Sequence, residues 1–158
     1  MTELRRGNGG SLRCGKGNTM ARILILLPTT SYRAKDFIEP AERMGVDVTV
    51  GSEEQNLLEP QNPAGYLTLD FEDLEKSAKS VAEFTRKYSI NAVLGIDDQT
   101  TLVSAFISQS LSLKSNSVKS VEASRTKGLM RERLRDAKLP IPEFRLFSLD
   151  SNAKDRCS

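Results

Sequence analysis

The sequence contains no histidine and no tryptophan. Without histidine, imidazole acid–base catalysis and His-ligated metals are excluded together, since no other side chain carries an unperturbed titration near neutral pH. Cysteine is almost missing as well. Cys14 and Cys157 lie in opposite terminal stretches of a 158-residue chain, so they form neither a disulfide framework nor a metal set and read as incidental thiols. No apolar run has the length needed to span a bilayer. Arg5 and Arg6 stand near the start, but no apolar stretch follows them as a secretory signal requires. A cytoplasmic protein with no membrane contact is the expectation. Neither sign of charge prevails: 23 Lys and Arg face 21 Asp and Glu, a formal net charge of +2, with no basic stripe that would argue for nucleic acid.

What is present suits one domain and the start of a second. Residues 1–19 are charged and glycine-rich with no apolar periodicity, and read as a disordered N-terminal extension or a stretch upstream of the true start at Met20. Within them, Gly10, Gly15 and Lys16 imitate part of a phosphate-binding loop. Gly17 stands where the Mg²⁺-ligating hydroxyl belongs, and the strand follows the stretch instead of preceding it, so a P-loop is not expected.

Residues 22–27 form a continuous apolar run stopped by Pro28, the pattern of a strand buried on both faces of a parallel sheet. Phe37, Ile38, Ala41 and Met44 recur at helical spacing before Gly45, a C-terminal stop, with Pro40 expected to kink the helix or shift its start. VDVTVGS and GYLTLD read as further strands. Residues 71–88 give the clearest helix, with Leu74, Ala78, Val81, Ala82 and Thr85 on one face and Asp70 as its cap. INAVLGIDD is a fourth strand running into Asp97 and Asp98. Asp98 can cap the following helix, whose core stripe is Leu102, Ala105 and Phe106. This alternation predicts an α/β fold, a three-layer Rossmann-like arrangement around a parallel sheet with right-handed crossovers.

Ligands in such sheets sit beyond the carboxyl ends of the strands. Two loops meet that condition. One carries Thr29, Thr30, Tyr32 and Arg33, donors suited to a carboxylate or phosphate, and reads equally as an ordinary polar loop. The other carries Asp97 and Asp98, which could orient an amine or serve a domain interface. After Leu113 the pattern changes. A short helix capped by Asn116 and a second helix with Met130, Leu134 and Ala137 on one side are expected, ended by Pro140 and Pro142. EFRLFSL then reads as a strand that begins something new. The organisation expected is an extension over 1–19, an α/β domain over 20–115, and a linker with a truncated domain start over 116–158.

The segment from Gly95 onward resembles the junction between the N-terminal (pre-ATP-grasp) domain and the ATP-grasp core in ATP-grasp ligases, a superfamily of carboxylate–amine, biotin carboxylase-like and carbamoyl-phosphate synthetase-like enzymes. Its pattern is an aspartate-rich strand end, a helix, L-G-L-P-x-N, a short helix, then D-K-x-x-M-R-x-x-L-x-x-A-G-[LV]-P-x-P. The chain matches at Asp97, Asp98, Leu111, Leu113, Asn116, Lys127, Met130, Arg131, Leu134, Ala137, Pro140 and Pro142. The first strand and loop from Met20 extend the resemblance. Four positions depart: Ser112 and Lys138 replace glycines, Lys114 a proline and Thr126 an aspartate or asparagine. The substitution of Lys138 is the least comfortable, because glycine there would close the helix, although a cation near a helix C-terminus is favourable.

By resemblance, Lys127 is the lysine that reaches the nucleotide phosphates, a role its ammonium suits. As a residue alone it reads as one of several solvated helix lysines, and Arg131 and Arg133 read as surface charges. The resemblance further implies ATP and Mg²⁺ as cofactors of the full-length family, a carboxylate or amine substrate, an acyl-phosphate intermediate and pairing of two copies. The acidic metal ligands and remaining cations would belong to a core beyond this chain, so the chain alone is expected to bind neither cofactor tightly and to be inactive. Two alternatives stand beside this reading. One is a stand-alone small-molecule-binding or protein-interaction module. The other is an unrelated flavodoxin-like or Rossmann-like domain, although no G-x-G-x-x-G follows the first strand.

Overall fold

A computed structural model describes residues 20–28 and 34–147. The N-terminal arm, its loop-like glycines, both cysteines and Thr29, Thr30, Tyr32 and Arg33 lie outside the described residues. The elements run β1 (Arg22–Leu26), α1 (Ala34–Arg43), β2 (Asp47–Ser52), β3 (Tyr66–Thr68), α2 (Leu74–Thr85), β4 (Ala92–Gly95), α3 (Asp98–Ser110), α4 (Val118–Arg125) and α5 (Lys127–Asp136). The four strands form one all-parallel sheet in the order β3-β2-β1-β4. The chain builds outward from β1 to one edge and then crosses to the other, so the strand order reverses between β1 and β4. A reversal of this kind opens a crevice at the carboxyl ends of the two strands.

Strand periodicity decides what each face buries. In register, Leu24 lies beside Thr49 and Val93, and Leu26 beside Gly51 and Gly95. Leu24, Leu26 and Val93 pack with Ala78 and Val81 of α2 and with Val103 and Ile107 of α3 into the main core. Each of the leucine, isoleucine and valine side chains contributes about 1.5–3 kcal/mol when fully buried. Ile25 alternates to the opposite face, where α1 supplies the buried Ala41. Helices on both faces make the three layers read from the sequence. Burial on both faces holds for β1 but not for β4, whose Leu94 remains 45% exposed. β4 is an edge strand, and among the described residues α1 is the single helix over its face of the sheet.

Two helix starts differ from the sequence reading. α2 starts at Leu74, capped by Asp73, whose Oδ1 accepts from the Lys76 N–H at 2.9 Å. Asp70 instead pairs with Lys76 at 3.1 Å. α4 is capped by Ser117 and not by Asn116. In both cases several residues able to cap stand close together, and the path of the chain selects among them. The stripe of α3 is also displaced: Val103, Ala105 and Ile107 are buried, with Phe106 packed at the margin. α1 continues through Pro40, which has no N–H to give the Asp36 carbonyl.

Three helices close with the same paired backbone bonds. After α1, Gly45 N–H donates to Glu42 O and Val46 N–H to Ala41 O, at 3.0 and 2.9 Å. After α3, Ser112 donates to Gln109 O and Leu113 to Ser108 O, at 3.1 and 2.8 Å. After α5, Lys138 donates to Arg135 O and Leu139 to Leu134 O, at 2.8 and 3.0 Å. Such a closure puts its middle residue in the left-handed region. Gly45, Ser112 and Lys138 accordingly have φ of 65°, 55° and 57°.

No residue of α5 is buried: Met130 and Leu134 are partly covered, and Ala137 is exposed. The strand expected over 143–149 is not formed by residues 141–147. Among the described residues no strand neighbours that stretch to complete a ladder. It lies along α5 instead, with the Phe144 ring 5.6 and 5.8 Å from the Arg131 and Arg135 guanidinium carbons. Leu146 sits so close to Gly128 that a Cβ there would lie 3.0 Å from its Cδ2.

Candidate functional site

All four strands deliver their carboxyl ends to one edge of the sheet. β2 leads into Glu53 and Glu54, β3 into Leu69 and Asp70, and β4 into Ile96, Asp97 and Asp98. The β4 corner is built around Gly95. A Cβ at that position would lie 2.5 Å from the Thr100 carbonyl oxygen, so only glycine lets the first turn of α3 fold back this tightly.

The two aspartates at this corner have different surroundings. Asp97, not Asp98, caps α3. Its Oδ1 accepts from the Thr100 N–H and from the Thr100 hydroxyl, both at 2.8 Å, and its own N–H donates to Thr100 Oγ1 at 3.2 Å. Thr100 is fully buried, which anchors this box to the core. The sequence reading placed the cap one residue later, at Asp98. Asp98 is the first residue of α3 and is exposed, free of the capping duty that the sequence reading gave it. Of the pair, Asp98 is the better placed to meet a ligand amine.

A shallow depression of about 270 Å³ lies beyond β2 and β3, lined by Glu53, Thr68, Asp70, Lys76 and Ser80. The Lys76 ammonium donates to the Asp70 carboxylate at 3.1 Å and, with further backbone donors, holds its pKa below the ordinary aspartate value. Sequence reasoning missed Lys76, because its six-residue separation from Asp70 follows no helical spacing. A larger depression, about 580 Å³, lies elsewhere, between α5 and residues 141–145. It is open to solvent and lies away from the strand ends.

Lys127 is the first residue of α5 and is exposed, preceded by Thr126, whose side chain makes no capping bond. A cation at this end opposes the helix dipole. An anion placed there would meet the ammonium and the free backbone N–H groups together. Among the described residues no group of three or more His, Cys, Asp or Glu could hold a metal ion. No helix of the described residues is long and apolar enough to cross a membrane.

Residues 38–113 match the family model of the ATP-grasp N-terminal domain. The chain carries an ATP-grasp N-terminal region. The matched residues run from α1 through the closure of α3 and include Asp97 and Asp98. The fold is similar to that of an L-amino acid ligase from Bacillus licheniformis, with a TM-score of 0.62 and 21% sequence identity. That match covers 80% of this chain and 32% of the ligase, so the chain spans about a third of the length of that enzyme. None of the curated proteins matches the sequence.

Proposed function

We propose that this chain is the N-terminal, substrate-binding and structural part of an ATP-dependent carboxylate–amine or related ligase that works through an acyl-phosphate, and that it catalyses no ligation alone. The observation that carries this reading is the ATP-grasp N-terminal match over 38–113. The ligase-like fold supports it. A cytoplasmic setting, where ATP is abundant, fits the same reading.

In this reading ATP supplies the phosphoryl group that activates a carboxylate, with Mg²⁺ offsetting the charge. The described residues do not assemble a Mg²⁺ site, and no step through the metal is assigned to them. What the chain contributes is placement. Gly95 and the Asp97–Thr100 box fix the first turn of α3, which leaves the Asp98 carboxylate to attract an ammonium. Thr29, Thr30, Tyr32 and Arg33 are proposed for the substrate carboxylate. Lys127 is proposed for a nucleotide phosphate, supported by its place at an uncapped helix start.

Calorimetric titration of the chain with amino acids and with ATP tests this. Amino-acid binding that is lost in Asp98→Asn supports the substrate part. ATP binding that is weak and falls further in Lys127→Gln supports the phosphate contact. The reading frame beyond the Ser158 codon completes the test: a glycine-rich loop and acidic metal ligands there support a ligase. A second reading, a stand-alone small-molecule-binding module, is favoured by the depression around Lys76 at the strand ends. It takes over if amino acids bind and no such core is encoded.

A further inference from the structure

Charge is unevenly spread along a chain whose total is near neutral. Between residues 53 and 76 stand seven Asp and Glu against a single Lys. The same stretch carries Leu57 and Leu58, 92% and 49% exposed, in the connection between β2 and β3. Leu57 is the most exposed large apolar residue among the described ones, so packing within the chain does not account for it. Nor is the connection slack. Leu58 N–H donates to Asn56 Oδ1 at 2.9 Å, and Asn62 N–H to Leu58 O at 2.8 Å.

One bond ties this turn to the depression beyond β2 and β3. Glu59, next to Leu58, accepts from the Thr68 hydroxyl at 2.8 Å, and Thr68 lines the depression together with Glu53, Asp70 and Ser80. Lys76 offsets Asp70 there. Among the described residues Glu53 has no ion partner and the Ser80 hydroxyl no hydrogen bond. An apolar knob thus adjoins a cleft of about 270 Å³ whose remaining carboxylate is uncompensated. Both lie at the β3 edge of the sheet, on the far side of β2 from the crevice between β1 and β4.

We propose that this surface docks a basic, leucine-bearing segment of a partner protein. An apolar side chain of that segment packs on Leu57 and Leu58, and a Lys or Arg enters the depression beside Glu53. Charge decides the class of occupant, since a stretch with seven carboxylates to one ammonium repels anions and steers cations towards it. The leucines decide between a peptide and a small cation, because a small cation leaves their apolar area in water. Apolar contact at the centre with a charged surround is the usual anatomy of such an interface. The turn is held by its own hydrogen bonds, which lowers the ordering cost of docking.

The test titrates the full chain into a fluorescently labelled helical peptide of Leu and Lys, about four turns long with the leucines on one face, and follows anisotropy. A dissociation constant at or below about 1 mM, rising with salt, is expected. Leu57→Ser should weaken binding at least about fivefold, as loss of a central anchor does. Glu53→Lys should weaken it as much, whereas Glu39→Lys, the same charge change on exposed α1 surface, should leave it unchanged. All three positions are exposed, so folding is kept, which circular dichroism checks. No binding at any concentration up to that limit overturns the proposal. A peptide with serine in place of every leucine that binds equally well overturns it in favour of small cations. Equal weakening by Glu39→Lys and Glu53→Lys overturns it too, because only net charge would then be read. None of these changes touches Asp98 or Lys127, so failure here leaves the ligase reading standing.

Discussion

Ser112 and Lys138 occupy positions where the resembling pattern has glycine, and both adopt positive φ. A side chain in this region costs roughly 1–2 kcal/mol, offset in part by the greater entropy that glycine loses on folding. Ser112→Gly is expected to stabilise the chain by about 0.5–1 kcal/mol in urea denaturation, with the slope unchanged. Lys138→Gly should gain less, because the lysine also sits favourably at the negative end of α5, an effect of about 0.3–1 kcal/mol. Equal gains would show that the dipole contributes nothing at this exposed site. Asp70 makes a second prediction at the residue scale. Its folded pKa is depressed, chiefly by the hydrogen bond from Lys76, so the stabilisation is complete above the unfolded aspartate value and is lost as pH falls through the folded one. Lys76→Met should therefore move the Asp70 carboxyl titration, followed by NMR, upward towards the ordinary value. A midpoint that stays in place would assign the depression to the backbone donors of Glu72 and Asp73.

At the level of elements, the β4–α3 corner separates scaffold from candidate ligand group. Asp97→Ala removes the cap and should cost about 1 kcal/mol of stability. Asp98→Ala should cost only a few tenths of a kcal/mol, as loss of an exposed first-turn carboxylate does, yet it should abolish amino-acid binding if that carboxylate holds the amine. Thermal melts and titrations of the two variants together check this, and reversed effects would return the capping role to Asp98. The same corner shows how far the sequence could be read. β1 and β2 were legible because continuous apolar or alternating β-branched runs leave little choice of period. α2 was legible because its polar and apolar faces separate. The caps were misplaced because DD, SNS and DFED each offer several capping residues, and only the tertiary path chooses among them. The strand expected after Pro142 had the right composition and, among the described residues, no neighbour to pair with. Of the candidate site, the corner at Asp97 and Asp98 was legible from its position at a strand end. The Asp70–Lys76 pair was not, since it depends on where α2 begins.

For the molecule as a whole, burial falls steeply along the chain. Leu24, Leu26, Val81 and Ile107 are essentially inaccessible, α4 contributes only Val121 and Ala123 to the interior, and α5 contributes none. Local opening follows buried apolar contact, so the basic C-terminal helices should open without the sheet. Hydrogen exchange is expected to find the slowest amides in β1, α2 and α3. Amides of α5 should exchange at least about a hundredfold faster, as sub-global opening well below the global stability would give. Loss of the Phe144 ring in Phe144→Ala should accelerate α5 further and leave β1 unchanged, because that ring lies against the Arg131 and Arg135 guanidinium groups of α5. If α5 instead exchanges as slowly as β1, the helix is part of the cooperative core.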